Sequence, residues 1–523
     1  MSHSLSRRTL LTTAGLAAGG IAAGDLLTAY TPRRAVPEAV TRHVTPLSFP
    51  AGFLWGVGTS AYQIEGAVHV DGRGESIWDR FSHTRGKTKN GATGDLACDH
   101  YHRYRQDLDL MQHLGVQSYR FSIAWPRVLP TGSGRVNQKG LDFYRRLVEG
   151  LLRRGIRPMA TLYHWDLPQA LQDRGGWPAR ETALRFAAYA EVVVRALGDV
   201  VPAWSTLNEP WVVANVGYRW GGHAPGLRSP RAAARARQNL LLAHGLAVQA
   251  FRALHPKNGQ IGITLSLTPM YPVADTPQDW TAARLADGFV NRAYLDPVLR
   301  GSDPSDVRVL GEAHNNTYDR IPPGDLPITS TPIDFVGVNY YSPWYVSGPL
   351  ARISRRSGHH AMTAMGWEIV PQGLYDLLVR ITRDYGHIPL YITENGAAFA
   401  DTVGVHGRVD DPQRVHFLQQ HIAAAHRALH AGVNLKGYYV WSLMDNFEWA
   451  DGYTKRFGLV YVDFRTQRRL PKRSALWYRD VMRQGGLRAQ SSFMTWSADR
   501  CAYCPPGQSR NPSPDHSQIS PDD

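Results

Sequence analysis

The chain has 523 residues, of which 43% are hydrophobic, and it carries a formal net charge of +14 with three cysteines. That apolar fraction can build a large buried core, and so few cysteines leave almost no role for structural disulfides. Arginine supplies 51 of the 58 basic residues, scattered and without the aromatic-rich basic stripe of nucleic-acid binders. We therefore expect a solvated basic surface and no nucleic-acid partner.

The first residues have the order of an export signal. The segment SRRTLL (6–11) resembles a twin-arginine motif, an apolar stretch continues to Ala23, and small residues surround Gly24. The apolar stretch has the length of a signal h-region and is too short to span a bilayer. We predict a twin-arginine-type signal peptide over 1–24, a linker over 25–46, and export to the periplasm or the exterior. The alternatives are that 1–24 is an ordinary N-terminal helix or that the start codon was wrongly chosen. In either case the protein would be cytoplasmic.

Eight short apolar runs follow, separated by amphipathic stretches. They are FLWGVGTS (53–60), SYRFSIAW (118–125), IRPMATLYHW (156–165), AWSTLN (203–208), QIGITLS (260–266), DFVGVNYY (334–341), PLYITEN (389–395) and LKGYYVWSL (435–443). β-Branched and aromatic residues without strict alternation are typical of strands that are buried on both faces. Between the runs, helical patterns cover 141–155 and 412–432, and the second has Asp411 as its N-cap and Gly432 as its C-cap.

Alternating strands and helices predict a fold of the α/β class. Residues 47–484 are expected to form one (β/α)8 TIM barrel, a single catalytic domain with long βα loops. No run in this range is long and apolar enough to cross a membrane. A doubly wound open sheet is the alternative, and it is disfavoured because no Gly-rich phosphate fingerprint follows the first strand.

The end of the chain, from 485 to 523, is rich in Ser, Pro and Gln and is predicted to be a disordered tail. Its Cys501 and Cys504 lack a second pair or a nearby His, which favours a local disulfide or two free thiols over metal or redox chemistry. His100 and His102 are assigned to helix packing or surface, since no acidic or Cys partner has ligand spacing. We expect no metal and no cofactor.

Polar and aromatic residues follow strand after strand. They are Gln63, His164, Asn208, Glu209, Asn339, Tyr341, Glu394, Trp441, Glu448 and Trp449. In a barrel these positions meet at the carboxyl end of the strands, where active sites form. One glutamate can donate a proton while the other attacks carbon, which suits cleavage of a sugar acetal. Amides can bind the hydroxyls, and a Trp ring can stack on the C–H face of a sugar.

Six segments in the right order resemble the family 1 glycoside hydrolases, the β-glucosidase family. They are FLWGVGTSAYQIEGA (53–67), YHWDLP (163–168), TLNEP (206–210), VNYYSP (338–343), YITENGAA (391–398) and WSLMDNFEWADGY (441–453). Together these segments extend over nearly all of 47–484.

The resemblance implies a role for each catalytic residue. Glu394 would be the nucleophile that forms a glycosyl-enzyme intermediate, and Glu209 the acid/base, with carboxyls about 5–5.5 Å apart. Arg120 and Tyr341 would support the nucleophile, and Asn208 would donate to the sugar 2-hydroxyl. Further substrate-binding residues implied by the resemblance are Gln63, His164, Asn339, Tyr341, Glu448, Trp449, Trp441 as the stacking floor, and Trp367 on the leaving-group side.

The same resemblance narrows the substrate. Glu448 would face the sugar O6, where a carboxylate repels phosphate, so unphosphorylated glycosides are expected. The acid/base position, 209, holds a glutamate, as in enzymes that act on O-glycosides, so an O-glycoside substrate is expected. The expected activity is hydrolysis of terminal non-reducing β-D-glucosyl residues, and also β-galactosyl or β-fucosyl residues. A secreted non-catalytic sugar-binding protein and a transglycosylase on the same site are the alternatives, and the oligomeric state is open.

Overall fold

The computed structural model describes residues 46–256, 258–306, 320–348, 352–354 and 360–488. The predicted signal peptide, all but the last residue of the predicted linker, and the tail from 489, including Cys501 and Cys504, lie outside the described residues. Among the described residues no helix is both long and apolar enough to cross a membrane.

Eight parallel strands close into a barrel, which confirms the predicted (β/α)8 fold and makes the open-sheet alternative wrong. The strands are β1 Leu54–Gly58, β2 Ser118–Ser122, β3 Arg157–Tyr163, β4 Ala203–Asn208, β5 Gln260–Ser266, β6 Phe335–Asn339, β7 Leu390–Asn395 and β8 Leu435–Trp441. Each of the eight apolar runs supplies one of them. Consecutive strands pair in parallel, with register shifts between β4 and β5 and on both sides of β7. The barrel closes where β8 pairs with β1, from Gly437 beside Leu54 to Trp441 beside Gly58.

Helices cover the outside of the barrel and bury their apolar faces against it. They are α1 His100–His113, α2 Gln138–Leu152, α3 Arg180–Leu197, α4 Pro230–Leu254, α5 Pro277–Asp287, α6 Ala293–Arg300, α7 Pro371–Tyr385, α8 Pro412–His430 and α9 Arg473–Gln484. Shorter helical segments lie in the loops at Ala61–Ile64, Ile77–His83, Lys89–Gly91, Trp125–Val128, Gln169–Gln172, Pro210–Val212, Val213–Arg219, Gly288–Arg292, Pro323–Asp325, Leu326–Thr329 and Trp449–Asp451. Most of these segments lie in βα loops and lengthen the carboxyl rim, where the predicted site residues lie.

Small antiparallel or mixed sheets complete the fold. Leu47–Ser48 pairs with Gly486–Leu487, so residues from the predicted linker–barrel boundary and the start of the predicted tail contact each other. The other sheets contain Met270–Pro272, Trp344–Ser347 and Arg352–Ser354, and Val460–Asp463 with Arg468–Pro471.

The barrel interior is filled on the side opposite the rim. A cluster of buried side chains from five strands packs there: Met159, Ala203, Phe335, Tyr391 and Tyr439. Because most of these residues lie early in their strands and most of the predicted site residues lie at or after the strand ends, the interior below the site is a packed core rather than a channel.

Two local expectations about the helices differ from the structure. The helix predicted over 141–155 begins three residues earlier, at Gln138, and ends at Leu152. Asp411 precedes Pro412 as expected, but its carboxylate does not cap α8. It binds Arg414 and accepts from the backbone N–H and the hydroxyl of Ser474, at 2.8 and 2.6 Å. A buried guanidinium is a stronger partner for a carboxylate than a helix N-terminus, so a tertiary contact replaces the cap.

His100 and His102 occupy the packing and surface positions expected of them. His100 is buried with Nδ1 2.8 Å from Asp107, and the more exposed His102 lies 2.6 Å from Asp99. Neither belongs to a metal-binding cluster of three or more His, Cys, Asp or Glu side chains in the described part of the chain.

Candidate active site

Glu394 lies near the carboxyl end of β7 and is held by two donors. Nη1 of Arg120, from the middle of β2, donates to Oε1 over 2.7 Å, and the hydroxyl of Tyr341 donates to Oε2 over 2.7 Å. Burial raises the pKa of Glu394, while the Arg120 charge and the Tyr341 hydrogen bond oppose that rise. A carboxylate that accepts from a guanidinium and a phenol is stabilised in its ionised form.

Glu209 directly follows β4, and its surroundings favour the protonated form. Asn339 Nδ2 donates to its Oε1 over 2.9 Å. Burial, and then the negative charge of Glu394, raise the pKa of Glu209 to about 8. The neutral amide of Asn339 stabilises the ionised form of Glu209 less than the Arg120 guanidinium stabilises the ionised form of Glu394. The proton shared by the pair therefore belongs on Glu209.

The backbone at Glu209 has φ of +50°, in the left-handed region that few residues other than Gly adopt. Trp165 and Trp449, both at the same rim, have φ of +78° and +49°. Strained backbone of this kind concentrates at functional sites, where it aims a side chain that a relaxed backbone would direct elsewhere.

Asn208 connects the two carboxyl groups. Its Oδ1 accepts from Arg120 Nη2 at 2.6 Å and from Asn339 Nδ2 at 3.1 Å, so its amide group points its donor away from both. That donor, Nδ2, lies 3.0 Å from Nε2 of His164. Since Nδ2 can only donate, Nε2 of His164 accepts, and the ring proton is assigned to Nδ1.

His164 is a neutral imidazole. Burial, and then the Arg120 charge, hold its pKa well below the ordinary value. Its Nδ1 is buried and has no protein partner among the described residues. Other atoms of the His164 side chain line the cavity.

Glu448 and Gln63 form a second polar group. Gln63 Nε2 donates to Asn446 Oδ1 and to the Phe447 carbonyl, each at 2.9 Å, and lies 3.4 Å from Glu448 Oε2. Burial, followed by the charges of Asp451 and the other two glutamates, raises the pKa of Glu448 to about 8.

A cavity of about 270 Å³ brings ten of the twelve predicted site residues together. They are His164, Asn208, Glu209, Asn339, Tyr341, Trp367, Glu394, Trp441, Glu448 and Trp449. The two predicted residues outside its lining each contact one inside it: Arg120 binds Glu394, and Gln63 lies beside Glu448.

Several cavity residues were not among the predicted site residues. Most of them are aromatic or apolar side chains: Trp165, Trp211, Val212, Val216, His223, Leu267, Val290, Trp344, Met365 and Phe457. The others are polar: Ser266, Thr268, Ser342 and Asp451. Trp211 and Trp344 pack edge to face with centroids 5.7 Å apart and form one wall. Trp211 lies two residues after Glu209, and Trp344 directly follows the segment VNYYSP, so proximity to a rim motif was the available signal.

This arrangement has the parts that cleavage of a glycosidic bond requires: one carboxyl held ionised, one held protonated, amide and imidazole groups for hydroxyls, and flat Trp faces. On a (β/α)8 barrel, at the carboxyl ends of the strands, it defines a glycosidase active site. Comparison with known proteins leads to the same class. Residues 45–487 match the family described as Glycosyl hydrolase family 1. The chain therefore belongs to glycosyl hydrolase family 1, as its six segments indicated.

Individual relatives support that assignment over almost their whole length. The chain is 49% identical to Beta-glucosidase A of Acetivibrio thermocellus over 450 residues, which are 85% of this chain and 100% of the relative. It is 46% identical to a Bifunctional beta-D-glucosidase/beta-D-fucosidase of Bifidobacterium breve, covering 82% of this chain and 97% of the relative. A solved family 1 β-glucosidase from Thermotoga maritima superposes with a TM-score of 0.82 at 49% identity, covering 85% and 100%.

Proposed function

We propose that the protein is a retaining β-glycosidase that removes terminal non-reducing β-D-glucosyl residues by double displacement. The observation that carries the proposal is the unequal environment of two glutamates in one cavity. Glu394 accepts from Arg120 and Tyr341, whereas Glu209 has Asn339 and a pKa raised to about 8. One carboxyl is thus prepared to attack and the other to donate a proton.

In the first step, the Glu394 carboxylate attacks the anomeric carbon while Glu209 protonates the departing oxygen. The glycosyl–oxygen bond to the leaving group breaks as an ester bond to Glu394 forms. Arg120 and Tyr341 hold the attacking carboxylate in place and keep it ionised until the bond forms. Asn208 and His164 lie where the sugar hydroxyls need partners.

The second step uses Glu209 as a base. Esterification removes the negative charge of Glu394, and that charge is the second largest cause of the raised Glu209 pKa. The pKa of Glu209 therefore falls in the intermediate, and the ionised carboxylate activates a water molecule. Water attacks from the face that the leaving group occupied, the ester bond breaks, and the product keeps the β configuration.

We extend the proposal to unphosphorylated substrates with glucosyl, galactosyl or fucosyl groups. Glu448 has Asp451, Glu209 and Glu394 nearby, and this acidic environment disfavours a phosphate dianion even where Glu448 itself is protonated. The relative from Bifidobacterium breve is named for both glucosidase and fucosidase activity. Cello-oligosaccharides from cellulose degradation are included, because Trp211 and Trp344 extend an aromatic wall along the cavity.

A single experiment tests the reaction. Purified enzyme is mixed with 4-nitrophenyl β-D-glucoside, and the first product is followed by ¹H NMR before mutarotation. We expect β-glucose to appear first. If α-glucose appears first, the double displacement is wrong. If no glucose is released while the glycoside still binds, the protein is the sugar-binding alternative, which the β-glucosidase relatives do not favour.

We also propose that residues 1–24 direct export by a twin-arginine route. The support is the order of SRRTLL, the apolar stretch to Ala23 and the small residues near Gly24. Intact mass of the enzyme recovered outside the cytoplasm should correspond to cleavage near Gly24. An Arg7→Lys, Arg8→Lys variant should leave active enzyme inside the cell. If this variant is exported as the wild type is, the twin-arginine assignment is wrong.

A further inference from the structure

Two histidines at the C-terminal end of α8 face each other on the side of the barrel opposite the active site. His426 and His430 are four residues apart on the helix, and their Nε2 atoms are 3.1 Å apart. α8 ends at His430, shortly before β8 begins at Leu435. This pair therefore lies at the amino ends of the strands, the face that serves stability in this fold.

The two rings are not joined by an in-line hydrogen bond. Their centroids are 4.3 Å apart at an interplanar angle of 68°. An in-line N–H···N bond would add the radius of both rings to the 3.1 Å between nitrogens, giving a longer centroid distance. The shorter distance means that at least one ring is turned away from the line that joins the two nitrogens.

A third polar atom approaches the same place. The Ser48 carbonyl oxygen lies 3.2 Å from Nε2 of His426. A proton on this nitrogen can point well at only one of its two neighbours, so one of these contacts lacks a good hydrogen bond. Separations of 3.1 and 3.2 Å match those between neighbouring ligands of one ion, since bonds of about 2.0–2.2 Å at tetrahedral or square angles place ligands roughly 3 Å apart.

The surroundings suit a cation. His426 is only 9% exposed and its ring packs against Phe49 at 5.3 Å, so one ligand is fixed before an ion arrives. His430 is exposed, which gives the ion access, and the last turn of a helix carries partial negative charge.

From these observations we propose that His426 and His430 form a two-histidine site for a divalent transition-metal ion of the Cu²⁺, Ni²⁺ or Zn²⁺ class. The Ser48 carbonyl is adjacent as a third donor, and water completes the coordination. Imidazole nitrogen suits these ions, and Cu²⁺ binds most tightly in the order of divalent affinities. The described part of the chain offers no cluster of three or more His, Cys, Asp or Glu side chains, which fits a stabilising site rather than a catalytic centre.

Such an ion would fasten the end of α8 to the start of the barrel domain. Ser48 belongs to the short strand Leu47–Ser48, which pairs with Gly486–Leu487 after α9. The ion would therefore connect α8 to this pair of short strands. Metal binding to the folded state alone raises stability by mass action.

The test uses the untagged full chain and Cu²⁺ alone. His430→Gln removes the exposed ligand, and His416→Gln is the matched control, because His416 is exposed on the same helix with Pro412 and Gln420 at the i±4 positions. At one equivalent of Cu²⁺, electron paramagnetic resonance should show two coupled nitrogens in the wild type and in His416→Gln. His430→Gln should bind about 100-fold more weakly, because chelation by two joined ligands is lost.

Thermal unfolding with Ni²⁺ provides an independent readout. The midpoint should rise in the wild type and in His416→Gln, and should not change in His430→Gln. Glucosidase activity should be equal in the metal-free forms of all three, because neither residue lines the cavity. Equal Cu²⁺ affinity in the wild type and His430→Gln, or one coupled nitrogen in the wild type, would overturn the proposal. Equal losses in the two variants would overturn it as well.

Discussion

Arg120 and Glu394 form a salt bridge of 2.7 Å in which both side chains are almost fully buried. Their strands, β2 and β7, are not neighbours in the barrel, so the bridge crosses its interior. Replacing a buried charge pair with apolar residues changes the net stability little. Removing only one partner leaves an uncompensated buried charge. Its value here is electrostatic: it keeps the attacking carboxylate ionised next to a second carboxyl that holds a proton.

The first prediction concerns Glu394→Ala. Without a nucleophile, hydrolysis of an aryl β-glucoside should fall by about 10⁴-fold or more. Azide can occupy the space of the lost carboxylate and attack the anomeric carbon directly. We expect azide to restore aryl release and to give the inverted α-glucosyl azide, identified by NMR.

Glu209→Ala is the matched control for that experiment. Glu394 still forms the intermediate in this variant, so azide acts in the second step and should give the β-glucosyl azide. If both variants produce the same anomer, the division of roles between the two glutamates is wrong.

Glu209→Gln separates substrates by leaving group. A poor leaving group such as an alkyl alcohol needs a proton as its bond breaks, whereas 2,4-dinitrophenolate does not. We expect kcat/KM to fall by about 10²–10⁴-fold for the alkyl glucoside and far less for the dinitrophenyl glucoside. Steady-state kinetics on the two substrates would measure this, and equal losses would argue against Glu209 as the acid.

The eight strands could be predicted because strands buried on both faces are rich in apolar, β-branched and aromatic residues without strict alternation, and these runs have that composition. The convergence of Glu209, Asn208 and Glu394 followed from the barrel itself, since residues that end different strands meet at one rim. Asp411 could not be predicted, because its partner Ser474 is distant in sequence and only the packing of α9 brings it near. His223 comes from a loop whose course depends on tertiary contacts, so its place in the cavity carried no local signal.

The pH dependence of kcat/KM should have an alkaline limb near pH 8. Glu209 must be protonated in the free enzyme, and its pKa is raised to about 8, so activity is lost as the pH rises through that value. Glu448 also has a pKa of about 8 and could produce the same limb. In Glu448→Gln the limb should persist at reduced overall activity, and its disappearance would assign it to Glu448 instead.

Tyr341→Phe removes the phenol that donates to Oε2 of Glu394. Losing one charge-assisted hydrogen bond in a dry site should lower kcat by about 10–10³-fold. The same bond lowers the pKa of Glu394, so its removal should move the acidic limb of the pH profile to higher pH. A purely structural role for Tyr341 would reduce activity without moving that limb.

Asp166 offers a prediction about stability rather than activity. It is fully buried, neither of its carboxyl oxygens has a side-chain or backbone donor from another described residue, and burial raises its pKa to about 8. The folded protein therefore keeps a proton that the unfolded chain releases above about pH 4. The contribution of Asp166 to stability consequently falls as the pH rises from about 4 to 8.

Asp166→Asn should remove that dependence, because the amide carries no proton to lose. At pH 8 it avoids a cost on the order of several kcal/mol, so its unfolding midpoint should exceed that of the wild type by at least about 2 °C. At pH 5, where wild-type Asp166 is still protonated, the difference between the two midpoints should be much smaller. Asp142→Asn is the control, since Asp142 is exposed and contacts Gln138, and its effect should not grow between pH 5 and 8. If Asp166→Asn destabilises the protein equally at both pH values, Asp166 is not protonated in the fold.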